Sequence, residues 1–277
     1  MTGLSKTSIT EDILNRFLDE VFSLYGYNLR GYSMSSLTRR IDRFMMMHHI
    51  AGIEELITAI QKRDFFQKFH DEIMVTVTEM FRDPGFFLEL RKKIFPMLST
   101  YSFIKIWDAG CSSGEEMVSL AILLKEEGLL YKTRIYATDI CQKSLIRAKD
   151  GRIHATQIKK YTDNYYAAGG TESFDKYYIK TGNETLFDKS LLENVVFYPH
   201  NLITDGTFNE FNLILCRNVL IYFTHSQQEK IIKLLLDSLI PLGFLGIGKK
   251  ESIPESHKDS FDVINRNERI YRKNCLI

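Results

Sequence analysis

The sequence predicts an α/β fold, a mostly parallel sheet with helices on both faces, preceded by a small all-α domain. From residue 104 onward, short apolar runs alternate with helical segments, the pattern of a doubly wound parallel sheet. Before residue 95, apolar residues recur at helical spacing. We therefore expect a helical domain over residues 1–95 and a sheet domain over residues 96–277.

Helices in the first domain are predicted from apolar residues spaced three and four apart. They cover residues 13–22, 35–49 and 53–60, and a further helix begins after the Asp83-Pro-Gly85 segment. On the second of these, Arg39, Arg40 and Arg43 are predicted to lie together, opposite the apolar side. Such a charged face is most simply a solvated surface.

Polar residues follow three of the predicted strands. The strand over 104–108 ends at Asp108, the strand over 134–139 ends at Asp139, and the strand over 212–216 leads into Arg217-Asn218. Ligands of open parallel sheets bind at the carboxyl ends of the strands, so a site is predicted there. Between residues 153 and 195 the alternation lapses into a run rich in tyrosine and glycine, which we interpret as a partly β insert.

The loop after the first strand, Asp108-Ala-Gly-Cys-Ser-Ser-Gly-Glu-Glu116, has the features of a cofactor site. Gly110 lets backbone approach a ligand closely. The loop matches neither of the glycine-rich patterns that bind phosphates, and its two glutamates would repel a pyrophosphate. A cationic ligand with ribose and amino groups fits better, and Asp139 is placed to accept hydrogen bonds from ribose hydroxyls.

The net charge and composition argue against several kinds of partner and site. The net charge of +1 gives no field that favours nucleic acid, and no apolar run is long enough to span a bilayer. The four cysteines are scattered and the histidines lack metal-ligand spacing, so neither disulfides nor a metal site are expected. We expect a cytoplasmic monomer without nucleic-acid or membrane partners.

Five segments together resemble the motif set of the chemotaxis receptor methyltransferases (CheR-type). They are Thr78-Glu-Met-Phe-Arg-Asp83, Ala109-Gly-Cys-Ser-Ser-Gly-Glu-Glu116, Ala137-Thr-Asp-Ile140, Asn201-Leu202 and Cys216-Arg-Asn-Val-Leu-Ile-Tyr-Phe223. The resemblance implies a Rossmann-like methyltransferase sheet with a small helical N-terminal domain and a small β-containing insert. It also implies methyl transfer from S-adenosylmethionine to glutamate side chains on the methylation helices of chemoreceptors, with S-adenosylhomocysteine as product.

The resemblance also implies roles for residues. The cofactor would be bound by Thr76, Thr78, Arg82, Gly110, Glu116, Asp139, Asn201, Leu202, Arg217 and Asn218. Arg82 and Tyr222 would lie nearest the transferring methyl group and the acceptor carboxylate, as catalytic residues. Arg39, Arg40 and Arg43 would form a docking surface for the acidic methylation helices of the receptor.

Several positions depart from the family pattern. Thr76 replaces a usual asparagine and Met80 a usual phenylalanine. Met117-Val118 and Lys249-Lys250 replace a Pro-Tyr pair and a His-Ser pair. Two alternatives therefore stay open: a methyltransferase with another acceptor, and a regulatory protein that binds the cofactor with weak or no transferase activity.

Overall fold

The computed structural model describes residues 10–25, 27, 29–73, 78–182 and 184–275. Contacts divide the chain into a helical unit, Met1–Val75 with Tyr222–Thr224, and a sheet unit, Thr76–Ile221 with His225–Ile277. The boundary therefore lies near residue 75, not at residue 95 as predicted. The reason is packing: Phe86, Phe87 and Phe95 share one hydrophobic core with the first strand of the sheet.

Four helices are described in the helical unit. They are α1 (Glu11–Tyr25), α2 (Met34–Met47), α3 (Ile53–Ala59) and α4 (Arg63–Ile73). Helix α4 is not among the predicted helices, although Phe66, Phe69 and Ile73 have helical spacing and are buried. The ring of Phe69 meets those of Phe17 and Phe44 edge-on, with centroids 5.4 and 5.0 Å apart, which is a favourable geometry for aromatic pairs.

His70 of α4 is buried in this unit, and neither of its ring nitrogens has a hydrogen-bond partner in the part of the chain that the structure describes. Tyr27 packs on its ring, and Asp71 Oδ1 lies 3.9 Å from Nδ1. Burial lowers the pKa of His70, and Asp71 opposes this only in part. The folded protein therefore holds the imidazole neutral more strongly than the unfolded chain does.

We expect the helical unit to lose stability as the pH falls below about 6.5, the pKa of a histidine in the unfolded chain. Above that pH both states are neutral at His70 and its contribution is fully present; it is lost toward the lower pKa of the folded state. Chemical denaturation between pH 8 and 5 measures the free energy of unfolding at each pH. In His70→Phe this free energy should depend less steeply on pH. The exposed His49 is the matched control, and His49→Asn should leave the slope unchanged. An equal slope in wild type and His70→Phe would contradict the assignment.

The sheet unit contains a seven-stranded sheet in the order β6-β2-β1-β7-β8-β10-β9. Its strands are β1 (Ile104–Ala109), β2 (Thr133–Asp139), β6 (Val195–Pro199), β7 (Phe211–Cys216), β8 (Leu239–Ile247), β9 (Phe261–Asn265) and β10 (Ile270–Lys273). Strands β6, β2, β1, β7 and β8 are parallel, whereas β10 is antiparallel to both β8 and β9. The predicted mixed α/β architecture with a mostly parallel sheet is confirmed.

Helices flank these strands as the alternating pattern predicted. They are α5 (Pro84–Glu89), α6 (Phe95–Leu98), α7 (Glu115–Glu126), α8 (Gln142–Asp150) and α10 (His225–Asp237), and a π-helical segment, Leu90–Ile94, joins α5 to α6. Strand β7 is buried along its whole length, as expected for a central parallel strand with helices on both faces. Because β1, β2 and β7 run in parallel, the residues after them meet at one edge of the sheet.

The insert holds a three-stranded antiparallel sheet and one helix. They are β3 (Arg152–His154), β5 (Glu184–Phe187) and β4 (Tyr178–Thr181) in that spatial order, with α9 (Ile158–Ala167). Glu126, the last residue of α7, accepts hydrogen bonds from the hydroxyls of Tyr165 and Tyr177 and pairs with Arg91. Burial and this carboxylate raise the pKa of Tyr165 to about 12. The network fixes α9 against the helices of the sheet unit.

Candidate functional site

The loop between β1 and α7 is a tight turn at the carboxyl edge of the sheet. The backbone N–H groups of Gly110 and Cys111 both donate to the carbonyl of Thr138 in β2, at 2.8 and 2.9 Å. Gly110 and Gly114 have φ angles of +86° and +93°, which side chains disfavour. A Cβ atom on Gly110 would also lie 2.6 Å from Val219 Cγ2, so both conformation and space require glycine there.

Asp139 supports the same loop from β2. Its Oδ2 accepts a hydrogen bond from the Ser112 N–H and its Oδ1 accepts one from the Cys141 N–H, each at 2.8 Å. Burial raises the pKa of Asp139, and these backbone donors oppose the rise. Each carboxylate oxygen keeps capacity for another donor, which suits the predicted contact with ribose hydroxyls.

Asp108, near the end of β1, is almost wholly buried, and its Oδ2 has no hydrogen-bond partner among the described residues. Burial raises the pKa of Asp108 well above its usual range, and the nearby charges of Glu116 and Asp139 add to the rise. With Glu115, buried in the first turn of α7, four carboxyl groups gather at this edge. A buried carboxyl oxygen without a partner in the described chain and this acidic set fit a ligand that brings hydrogen-bond donors and positive charge.

Arg217, directly after β7, joins two parts of the site. Its Nη1 donates to Glu116, and its Nη2 donates to the Arg82 carbonyl and to Asp83 Oδ2, both at 2.9 Å. Its guanidinium lies 4.1 Å above the ring centre of Phe86 and its side chain is 1% exposed. Both Nη atoms thus donate inside the protein, so the structure places Arg217 as a link between α7 and residues 82–83.

Arg82 lies in the turn before α5 and is half-buried. Its neighbours Phe81 and Asp83 have positive φ angles of 51° and 57°, which are uncommon for residues other than glycine. Within the part of the chain that the structure describes, no hydrogen bond or ion pair holds the Arg82 guanidinium. A fixed backbone therefore presents a cation that is available to an anionic ligand.

Glu251 holds the loop that contains Asn218, a role that the sequence pattern did not indicate. Its Oε2 accepts from the N–H groups of Gly248 (2.5 Å) and Asn218 (3.0 Å), and its Oε1 from that of Ile221 (3.2 Å). Asn218 has a φ of +60°, and this clamp stabilises that conformation. A buried glutamate three residues after a strand-end glycine is the signal in the sequence that could have identified the clamp.

The remaining cofactor residues of the sequence prediction are placed as follows. Asn201 follows β6 and forms a turn in which its Oδ1 accepts from the Ile203 N–H at 2.9 Å, and Leu202 beside it is half-buried. Thr78 is also half-buried. Thr76 lies outside the described residues.

The departures from the family pattern are accommodated inside the sheet unit. Met117 and Val118 are fully buried in the hydrophobic core, so they pack α7 against the sheet. Lys249 forms an ion pair with Glu268 at 3.1 Å, and Lys250 is exposed.

The arginines of α2 do not form one face, which corrects the prediction from the sequence. Arg39 and Arg43 are exposed, whereas Arg40 is half-buried and donates to the Ile73 carbonyl at 3.1 Å and to Ser36 Oγ at 3.0 Å. Its guanidinium lies 4.4 Å above the Tyr222 ring, and burial lowers the pKa of Arg40. Arg40 is four residues from both Ser36 and Phe44, which are buried, so it belongs to the border of the buried side.

Tyr222 belongs to the helical unit. Its carbonyl accepts a hydrogen bond from the Ser33 N–H at 2.7 Å, and the next residue, Phe223, pairs with Tyr32. Arg82 and Tyr222, the two predicted catalytic residues, thus fall in different compact units.

Two cysteines near the site are space-filling residues. Cys111 in the loop and Cys216 at the end of β7 are buried, and burial raises the pKa of both thiols well above the usual range. A thiol held neutral is a poor nucleophile.

Among the described residues, no helix is long and apolar enough to cross a membrane.

Comparisons with known proteins agree with this geometry. Residues 76–270 match the family model of the CheR methyltransferase SAM-binding domain, and residues 12–74 match that of the CheR methyltransferase all-alpha domain. The Cher3 protein of Pseudomonas putida is 41% identical over 99% of this chain and 100% of its own length. The chemotaxis protein methyltransferase of Borreliella burgdorferi is 29% identical over 89% of this chain and 90% of its own. Chemotaxis protein methyltransferase 1 of Vibrio cholerae is also 29% identical, over 93% of this chain and 94% of its own.

The matched models together extend over most of the chain, and the sheet unit coincides with the SAM-binding one. The acidic edge, the glycine loop and Asp139 suit a cationic nucleoside cofactor rather than a phosphate. The chain belongs to the CheR methyltransferase family and is an S-adenosylmethionine-dependent methyltransferase.

Proposed function

We propose that this protein methylates glutamate side chains on the cytoplasmic helices of chemoreceptors, forming glutamyl methyl esters during chemotactic adaptation. The observation that carries the proposal is Arg82, a half-buried cation without a partner in the described chain, beside a cofactor edge lined with carboxylates. A cation there suits an anionic acceptor. Two relatives are named chemotaxis protein methyltransferases, which supports a role in chemotaxis.

The cofactor residues have complementary tasks. Asp139 would hold the ribose, and Glu116, oriented by Arg217, would receive the amino or nucleoside donors. Gly110, Asn201, Leu202 and Asn218, together with Thr76 and Thr78, would complete the pocket. When bound, S-adenosylmethionine supplies a sulfonium-activated methyl group.

The acceptor needs no general base. A glutamate side chain has a pKa of about 4.3 and is ionised near neutral pH. Arg82 would orient the carboxylate through its paired guanidinium donors. Tyr222 stays a proposed catalytic residue on the ground of its motif position alone. Catalysis would then come from alignment and from exclusion of water. A positioning contact suffices, since a very tight ion pair would stabilise the ground state.

The proposal is tested by offering the purified protein radiolabelled S-adenosylmethionine with three acceptors: receptor signalling fragments, total RNA and a mixture of small carboxylic acids. We expect label only in the receptor fragments. Cofactor binding measured by calorimetry without transfer to any acceptor would instead support a regulatory role. Transfer to RNA or to the small acids would contradict the proposed acceptor.

Receptor docking is proposed to involve the exposed arginines of α2. Charge reversal in an Arg39→Glu/Arg43→Glu variant should raise the KM for receptor by about three- to tenfold, because acidic helices would be repelled. The affinity for S-adenosylmethionine should not change. Arg63→Glu, at another exposed position of the helical unit, on α4, is the matched control. An unchanged KM in the double variant would contradict docking at α2.

The proposed contribution of Arg40 is different, because its guanidinium is engaged by Ile73, Ser36 and Tyr222. Its replacement is therefore expected to disturb the helical unit in addition to any effect on docking.

A further inference from the structure

The turn formed by residues 79–83 carries Arg82 and is held at every position. On one side, Ser119 Oγ accepts the Phe81 N–H at 2.9 Å, and Arg217 binds the Arg82 carbonyl and the Asp83 carboxylate. Ser119 in turn donates to the Glu115 carbonyl at 2.6 Å. The cofactor helix α7 and the loop after β7 thus fix this side of the turn.

The other side of the turn is held by helix α9 of the insert. Asn164 Nδ2 donates to the Met80 carbonyl at 3.0 Å and lies 3.5 Å from Glu79 Oε1. Lys160, one helical turn earlier, pairs with Glu79. The ring of Tyr165 meets that of the buried Phe81 at 5.4 Å between centroids.

The contacts to this turn determine both its backbone conformation and the position of the Arg82 charge. Phe81 and Asp83 adopt left-handed backbone conformations, which persist in residues other than glycine only where the surroundings hold them. The Arg82 guanidinium itself has no partner within the described chain, so the position of its charge depends on the backbone of the turn.

We propose that Asn164 is a positioning residue for Arg82, and that helix α9 of the insert is therefore part of the transferase scaffold. The amide of Asn164 is the contact from α9 to the main chain of the turn, next to the left-handed Phe81. This proposal rests on the proposed role of Arg82 in orienting the acceptor carboxylate. It extends that role to a segment that none of the motifs includes.

The test compares Asn164→Leu with Asn194→Leu. Asn194 is also half-buried, and its Nδ2 donates to a backbone carbonyl, that of Leu130, at 3.1 Å in the same unit. The two variants lose the same kind of hydrogen bond, so similar losses of Tm are expected. Hydrogen exchange of residues 79–83 and kcat at saturating S-adenosylmethionine are measured for both, and for Arg82→Met with and without Asn164→Leu.

We expect Asn164→Leu to accelerate exchange in the turn and to lower kcat by about ten- to hundredfold, because a small displacement of an orienting group is costly. Cofactor affinity should change little, and Asn164→Leu should add no further loss to Arg82→Met. Asn194→Leu should change neither exchange in the turn nor kcat.

The proposal is overturned if exchange in the turn is unchanged in Asn164→Leu. It is also overturned if kcat is unchanged while Arg82→Met is inactive. Should Arg82→Met itself retain full activity, the proposed role of Arg82 fails, and the exchange measurement alone decides whether Asn164 holds the turn.

Discussion

Replacing Arg82 with methionine is expected to lower kcat/KM for the receptor by about a hundred- to a thousandfold, the effect of removing one key polar group from an active site. Methionine keeps an apolar side chain of similar length and removes the positive charge and the paired N–H donors of the guanidinium. The loss should come without a fall in Tm, because the guanidinium has no hydrogen bond or ion pair within the described chain. Steady-state methylation and thermal unfolding measure the two effects.

Two further variants sharpen this prediction. Arg82→Lys should recover part of the activity, since lysine restores the charge but not the paired donors. Arg266→Met, at an exposed position of the same unit, should retain full activity. A stable, fully active Arg82→Met protein would show that the acceptor is oriented by other residues.

Replacing Arg217 with methionine should lower the stability of the protein strongly, whereas Arg82→Met should lower activity and leave stability unchanged. The change leaves Glu116 and Asp83 without their common cation, and breaking a buried pair in this way costs about 3–5 kcal/mol. Affinity for S-adenosylmethionine should also fall, because Glu116 loses the contact that orients it. Denaturant unfolding and calorimetric titration measure the two losses.

Further variants test whether the loss of stability in Arg217→Met comes from the unpaired carboxylates of Glu116 and Asp83. Adding Glu116→Gln and Asp83→Asn to Arg217→Met should cost less than the sum of the separate changes, since no carboxylate remains unpaired. Lys233→Met, which breaks the exposed pair with Asp237, should change stability by less than about 1 kcal/mol. A comparably small loss in Arg217→Met would contradict the role of Arg217 as a link.

The elements that carry the cofactor edge could be predicted because each has a strong local signal. The apolar runs of β1, β2 and β7 end in polar residues and precede helical patterns, so parallel pairing brings Asp108, Asp139 and Arg217 to one edge. Strand β6 has an apolar run but no helical pattern after it, so the alternating signal is incomplete there. It ends at Pro199 and lies at the border of the sheet, and its pairing with β2 comes from tertiary context.

The site could be predicted as a set of positions but not as a set of contacts. Motif position assigns both Arg217 and Arg82 to the cofactor site, yet both Nη atoms of Arg217 donate inside the protein, whereas the guanidinium of Arg82 has no partner in the described chain. Likewise, Arg40 resembles Arg39 and Arg43 in sequence, and only packing shows that it points toward Tyr222. Such differences depend on residues distant in sequence.

The position of the acceptor bond tests the central claim most directly. A receptor signalling fragment is incubated with the protein and S-adenosylmethionine, digested, and sequenced by tandem mass spectrometry before and after mild alkali. We predict one added methyl group on glutamate side chains, released as methanol by alkali. A methyl group that resists alkali, or one on lysine or another side chain, would contradict glutamate O-methylation by this protein.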